Sequence, residues 1–372
     1  MPSALLRLVL VLVAMGCARA VAAAPTDADY RRLNEALVTG HILPRQDKLA
    51  EATKALAAEA GRFCAAPTAA SLGTMRDAFD RAVDAWQGVQ HVRFGPIELF
   101  MRNMRLAFWP DPRNTVSRQV DELLAGKDAG ALTAQAFARG NVAGQGFPAL
   151  ERLLYGEDAA AKLTGGGAEA AFRCDAIRAI AGNLAGMAAD IRREWIEGAE
   201  AQAKVMAEAG QSGDRYAGPK EVTLDLFKSL HAAVELVADH KLARPLGASL
   251  QAARPQLAEA WRSRRSLAAL RLNLEAAEAM YLGEDGGAGF SAFVRDVAGN
   301  AALDDLLRRA FAQTRGTAAS IGKPLEVAVL DPAERPKLVQ LAREASALKT
   351  LLAQRLTVAL DIPLGFNALD GD

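Results

Sequence analysis

Apolar residues along the chain recur mainly at three- and four-residue spacing, with little period-two alternation. That is the pattern of amphipathic helices. Asp27–Leu37 reads as a first helix, interrupted at Gly40 and Pro44, with Gln46–Cys64 resuming. Ala66-Pro67-Thr68 opens a helix to about Val92, striped by Leu72, Met75, Phe79, Val83, Trp86 and Val89, and Phe94-Gly95-Pro96 breaks it. Short helices are expected near Ile97–Leu106 and Val116–Leu124, with Trp109-Pro110-Asp111-Pro112 as turn chemistry between them. Another starts near Gly146 and stops at Gly156, and one long helix is expected from Ala168 to about Glu208. Val222–Asp239, Pro255–Leu282, Ala302–Ile321 and Ala333–Leu360 read as helices, and Leu325–Leu330 as a lone extended segment.

At 372 residues the chain exceeds what one compact core usually holds. The expected fold is all-α, as two helical bundles packed together: residues 25–209, a linker at 210–220 (GQSGDRYAGPK), and residues 221–372. Glu151-Arg152-Leu153-Leu154-Tyr155-Gly156 is echoed by Glu278-Ala279-Met280-Tyr281-Leu282-Gly283, a hint of internal duplication. Helices also commonly end in Gly without common descent. Hydrophobic residues at 51% supply a core and argue against disorder.

Residues 1–24 read as a Sec signal peptide: Arg7, an apolar run through Ala14, then small residues with Ala18-Arg19-Ala20 and Ala20-Val21-Ala22 as cleavage sites. The expected location is the periplasm. Ala14-Met15-Gly16-Cys17 loosely resembles a lipobox, so a lipoprotein anchored at Cys17 is the alternative to a discarded leader cysteine, and would be the only membrane attachment. Cys64 and Cys174 lie in a chain bound for an oxidising compartment and are expected to form a disulfide.

Lys plus Arg equals Asp plus Glu, 44 each, without a basic block, which speaks against a nucleic-acid partner. No GxSxG, Walker loop, GxGxxG, HExxH or CxxCH is present. The remaining chemistry is four histidines and the loops. His41 lies between two helical pieces, and His91 lies just before the Gly95-Pro96 break, with Glu98 after it. A His and a carboxylate at such a break suit a metal or ligand, or simply a hydrogen-bonded helix end. His231 and Glu235 share a helix face and read as a surface pair rather than metal ligands, and His240 as exposed. Arg93 and Arg102 are anion candidates or members of ion pairs; Trp86 reads as core.

Gln90-His91-Val92-Arg93-Phe94-Gly95-Pro96, Phe108-Trp109-Pro110-Asp111-Pro112-Arg113, Gly146-Phe147-Pro148-Ala149-Leu150-Glu151, His41-Ile42-Leu43-Pro44 and the terminal Leu364-Gly365-Phe366-Asn367-Ala368-Leu369-Asp370-Gly371-Asp372 resemble the imelysin-like family, in its order and over nearly the whole mature chain. The resemblance implies an exported bacterial protein of two helical bundles, periplasmic or lipid-anchored, with a role in iron uptake or metal-dependent peptidase chemistry. It also implies a GxHxxE motif whose His and Glu bind metal. Here Gly146 and Glu151 match, but the His position is Pro148, which has no donor atom. The cofactor is therefore left open, iron or another divalent metal included.

A binding site would be built at the breaks, from His91, Arg93, Trp109, Asp111 and Glu151, with His41, His91, Glu98 and Glu151 as the metal set. The leading expectation is a non-enzymatic protein binding metal, haem or a partner in iron acquisition. The alternatives are a metal-dependent hydrolase using the His41, His91, Glu98, Glu151 set, and an interaction protein that recruits a periplasmic redox or transport protein.

Overall fold

The computed structural model describes residues 24–211, 215–284 and 287–362. The leader, Cys17 and the terminal Leu364–Asp372 motif lie outside the described residues. Among those described, every regular element is helical. None of the helices is long and apolar enough to cross a membrane.

The principal helices are α1 (Asp27–Leu37), α2 (Leu43–Ala65), α3 (Ala69–Val89), α4 (Thr115–Gly126), α5 (Phe147–Tyr155), α6 (Gly167–Ile196), α7 (Pro219–Glu235), α8 (Ser266–Leu282), α9 (Ala301–Ser320) and α10 (Arg335–Leu351). Local sequence sets their starts. Thr26 and Asp29 form a capping box on α1, with Thr26 N donating to Asp29 Oδ2 at 2.8 Å, and Thr68 and Ser71 do the same on α3. Pro148 and Pro219 sit in the first turns of α5 and α7, where a missing N–H costs nothing.

In the first half α2 packs against α3 and α6, closing a core around Phe63, Phe79, Leu150 and Trp195. In the second, α7, α8, α9 and α10 pack around each other. The halves share contacts: α3 lies on α8, and α1 lies on α7. Tyr30 on α1 donates its hydroxyl to Leu360 O at 2.8 Å, and Asn34 Nδ2 donates to Pro219 O at 2.7 Å. Cys64 on α2 and Cys174 on α6 are disulfide-bonded, with Cα atoms 5.5 Å apart.

Several expected elements differ. Gly40 and Pro44 do not interrupt the helix: residues Val38–Ile42 widen into a π-helical segment, and Pro44 falls in the first turn of α2. Similar π segments run over Leu236–Leu242, Phe293–Val297 and Leu352–Leu356. The expected Ala168–Glu208 helix ends at Ile196, where Glu197 turns extended and Gly198 takes a positive φ of 92°. Pro255–Leu282 is not continuous: a 3-10 turn at Pro255–Leu257 is followed by an irregular stretch with Ala260 and Arg264 at positive φ, and the α-helix begins at Ser266. Leu325–Ala328 is a helical turn rather than an extended segment.

Candidate functional site

A cavity of about 450 Å³ opens between α3, the loop at 107–114, the start of α5 and the irregular segment at 256–262. Of the four tryptophans in the chain, Trp86, Trp109 and Trp261 line it, together with Phe79, Phe108 and Phe147. Gly146 brings α5 to this wall: a Cβ there would collide with the carbonyl oxygens of Arg105 and Leu106. The proline ring of Pro148 and the side chain of Glu151 then face the cavity.

Glu151 is 4% exposed. Its Oε1 accepts from Ser263 N at 2.8 Å and from Ser263 Oγ at 2.6 Å. Burial pushes its carboxyl above the usual range, opposed by these two bonds and the Arg262 guanidinium. A second buried carboxylate on the cavity wall, Glu259, is ion-paired with Lys241, which also donates to Gln87 Oε1 at 2.6 Å. Lys241 is held below its usual value by burial, offset by Glu259. Its Nζ lies 5.9 Å from the centre of the Trp109 ring. Arg262 stacks on Trp261 at 4.4 Å and donates to Ser117 Oγ at 3.0 Å. Arg152 and Arg244 complete the cationic rim, Arg152 paired with Asp121 at 2.7 Å.

Asp111 lies on the cavity wall but is occupied locally, accepting from Thr115 N and Val116 N at 2.8 Å each, at the start of α4. Trp109 meets His240 edge-on with ring centres 6.5 Å apart.

The other anticipated residues lie elsewhere. His41 Nε2 and His91 Nε2 are 2.9 Å apart, both rings buried. His91, Arg93 and Glu98 line a separate cavity of about 410 Å³. The anticipated metal set thus falls into three places: His41 with His91, Glu98 at the rim of the cavity that His91 lines, and Glu151 with Ser263. Among the described residues no three His, Cys, Asp or Glu groups come together in a way that could hold a metal ion. Arg102 is taken by Glu194, at 2.6 and 2.8 Å, and by Pro96 O. His231 and Glu235 are not a surface pair: both are buried, with Nδ1 and Oε2 4.0 Å apart, because α7 is packed by α1, α8 and α10. His240 is half-buried rather than exposed.

The GxHxxE expectation can be tested on donor chemistry. The proline ring stands where the family's His would, Glu151 Oε1 is filled by Ser263, and Arg262 lies close enough to Glu151 for the two charges to interact. A guanidinium beside the carboxylate already supplies the positive charge that a cation would bring. These residues do not fit a bare metal ion. The sequence pattern does not single out Ser263, Lys241, Glu259 or Arg262, because three of them fall in the stretch whose spacing suggests a continuous helix from Pro255.

The sequence model of the imelysin family matches residues 42–355. No curated protein matched the chain. Among solved structures, it resembles an imelysin-like protein from Psychrobacter arcticum 273-4, with a TM-score of 0.73 at 21% identity over 93% of this chain and 100% of that one. It also resembles a protein from Parabacteroides distasonis ATCC 8503 named as an iron-regulated protein A precursor, with a TM-score of 0.72 at 16% identity over 89% of this chain and 95% of that one. With most of its length matched by that family's pattern, the chain belongs to the imelysin family.

Proposed function

We propose that this chain is an exported, non-enzymatic binding protein of bacterial iron acquisition, and that its cavity takes a flat organic ligand. Iron then arrives as haem or another chelate rather than as a bare ion. The observation that carries this reading is the convergence of Trp86, Trp109 and Trp261 on one cavity of about 450 Å³. Aromatic walls with a few fixed polar groups suit a small-molecule site. Arg152, Arg244 and Arg262 at the rim suit carboxylate groups on that molecule. The iron connection draws on family membership and on the name of the Parabacteroides relative. Export draws on the leader and on the word precursor in that name.

Titration of the mature protein with haem, a ferric chelate, and free ferrous and ferric ions tests this. Saturable quenching of tryptophan fluorescence by haem or the chelate, weakened at least tenfold by Trp109→Ala, is expected. Binding of the free ions alone, insensitive to Trp109→Ala, would overturn it.

A partner-docking role is favoured by one further observation. Leu99, Phe100 and Met101 form an exposed apolar tip, 49%, 73% and 56% exposed, with Phe100 and Met101 held at positive φ. Such a patch commonly marks a protein contact. Loss of a periplasmic partner from pull-downs by Phe100→Ser, with haem binding unchanged, is the expected result. Retention of the partner by that variant would reject the tip.

A further inference from the structure

The His41–His91 pair takes no part in the aromatic cavity, and its arrangement calls for its own explanation. The Nε2 atoms are 2.9 Å apart and the ring centres 5.1 Å apart. The difference is about two ring radii, so the two nitrogens face each other nearly head-on. Both rings are buried, and at that separation one Nε2 donates to the other, so the facing nitrogens share a single proton. One Nδ1 is then a bare acceptor and the other a bare N–H. Both Nδ1 atoms are buried and make no hydrogen bond. Leaving two ring nitrogens unsatisfied in the interior is unfavourable, and such exceptions call for a partner or a role.

We propose that a single cuprous ion binds between His41 Nε2 and His91 Nε2. The ion takes the place of the shared proton, which moves to the Nδ1 that lacked one, so both rings stay neutral, ligate through Nε2 and carry hydrogen on Nδ1. The His41 Nδ1–H turns to the Glu284 carboxylate, 3.8 Å away. A carboxylate behind a ligating histidine is the usual outer partner of such a ring. Glu284 is itself fixed by Arg45, whose Nη1 donates to Oε2 at 2.6 Å.

The choice of ion follows from the donors. Imidazole suits copper, zinc, iron and nickel. No third His, Cys, Asp or Glu joins this pair among the described residues. Zinc takes four ligands in a tetrahedron, whereas two opposed nitrogens match the two-coordinate habit of cuprous copper. A single positive charge is also cheaper to bury than a double one beside the Arg45 and Arg93 guanidiniums, both of which act on His91. Metal–nitrogen bonds of about 2 Å need a nitrogen separation of about 4 Å, so each ring withdraws by about 0.5 Å. His41 lies on the π segment Val38–Ile42, and single-turn π distortions often occur at functional positions. His91 lines the cavity of about 410 Å³, which provides a route in. This site is separate from the aromatic cavity and does not depend on the function proposed for it.

The test uses the mature, disulfide-intact protein, titrated anaerobically with cuprous ion against a chromophoric cuprous chelator. One equivalent should bind, with an X-ray absorption spectrum of two nitrogen neighbours. His41→Ala and His91→Ala should each weaken binding by at least about 100-fold, beyond what loss of an outer partner usually costs. His240→Ala should leave it within about threefold. If either alanine variant loses its helical circular dichroism, His41→Gln and His91→Gln replace them. On the unaltered protein, histidine ¹⁵N resonances should shift for two rings only. No bound copper, copper retained without either histidine, or zinc bound more tightly than copper at the pair each overturns the proposal.

Discussion

Glu151 and Ser263, 112 positions apart, are joined through a single oxygen: Glu151 Oε1 accepts both the Ser263 amide and the Ser263 hydroxyl. The bond fastens the first turns of α5 to the irregular segment before α8. It places a buried carboxylate on the wall of the aromatic cavity without leaving that oxygen free for a metal.

This carboxylate makes stability depend on pH. Its proton is bound more tightly in the folded chain than in the unfolded one, whose value is near 4.5. From that value upward to the raised folded value, the folded state carries more protons, so the contribution of Glu151 to stability falls as pH rises. Glu151→Gln keeps the acceptor for Ser263 but cannot ionise. Urea unfolding at a series of pH values from 4.5 upward should show the variant gaining on the parent as pH rises. A difference independent of pH would contradict the assignment.

Lys241 is 1% exposed and its charge is balanced by Glu259. Lys241→Met leaves Glu259 buried without its partner and should cost about 3–5 kcal/mol. The double variant Lys241→Met, Glu259→Gln should recover much of this. Equal losses in the single and double variants, measured by denaturant unfolding, would show that packing and not charge is at stake.

The Cys64–Cys174 disulfide ties α2 to α6 across 110 positions. The chain-entropy treatment gives about 4–5 kcal/mol for a loop of this size. Cys64→Ser with Cys174→Ser should lower the midpoint of urea unfolding accordingly while leaving the helical circular dichroism intact. An unchanged midpoint would mean that α2–α6 packing alone holds the pair.

Trp195 is fully buried in the core of the first half, away from the cavity that the other three tryptophans line. A cavity ligand that does not absorb in the tryptophan emission band, and so quenches by contact alone, should therefore quench most but not all of the intrinsic fluorescence. The residual emission should persist in Trp109→Phe and fall in Trp195→Phe. Complete quenching in the parent protein would place the ligand elsewhere.

Most helices were legible because they carry an apolar stripe and end in Gly or Pro; α1 matches the reading at both ends. The misreadings share one physical cause, that periodicity reports local spacing and not what lies opposite. Gly40 and Pro44 look like breaks, yet a wider turn absorbs both. Ala258–Arg265 looks helical, yet Ala260 and Arg264 at positive φ break it and deliver Ser263 to Glu151. The set His41, His91, Glu98 and Glu151 holds in part: His41 and His91, fifty positions apart, do meet, while Glu98 and Glu151 lie apart from them. The i, i+4 spacing of His231 and Glu235 suggests a surface pair because spacing within one helix does not disclose the helices packed on it.

The π segment at Val38–Ile42 has a genetic consequence. It acts as one surplus residue within an otherwise continuous helical rod. The surplus residue is absorbed where the turn widens, so the helix on either side keeps the register of an α-helix one residue shorter. Inserting a further residue beside Gly40, with no wider turn to take it up, would rotate one side against the other by about 100°. Either His41 would swing away from His91, or Tyr30 and Asn34 would leave their places on the second half. A single-codon insertion distant from the aromatic cavity would thus uncouple the histidine pair while leaving every residue of that cavity in the sequence.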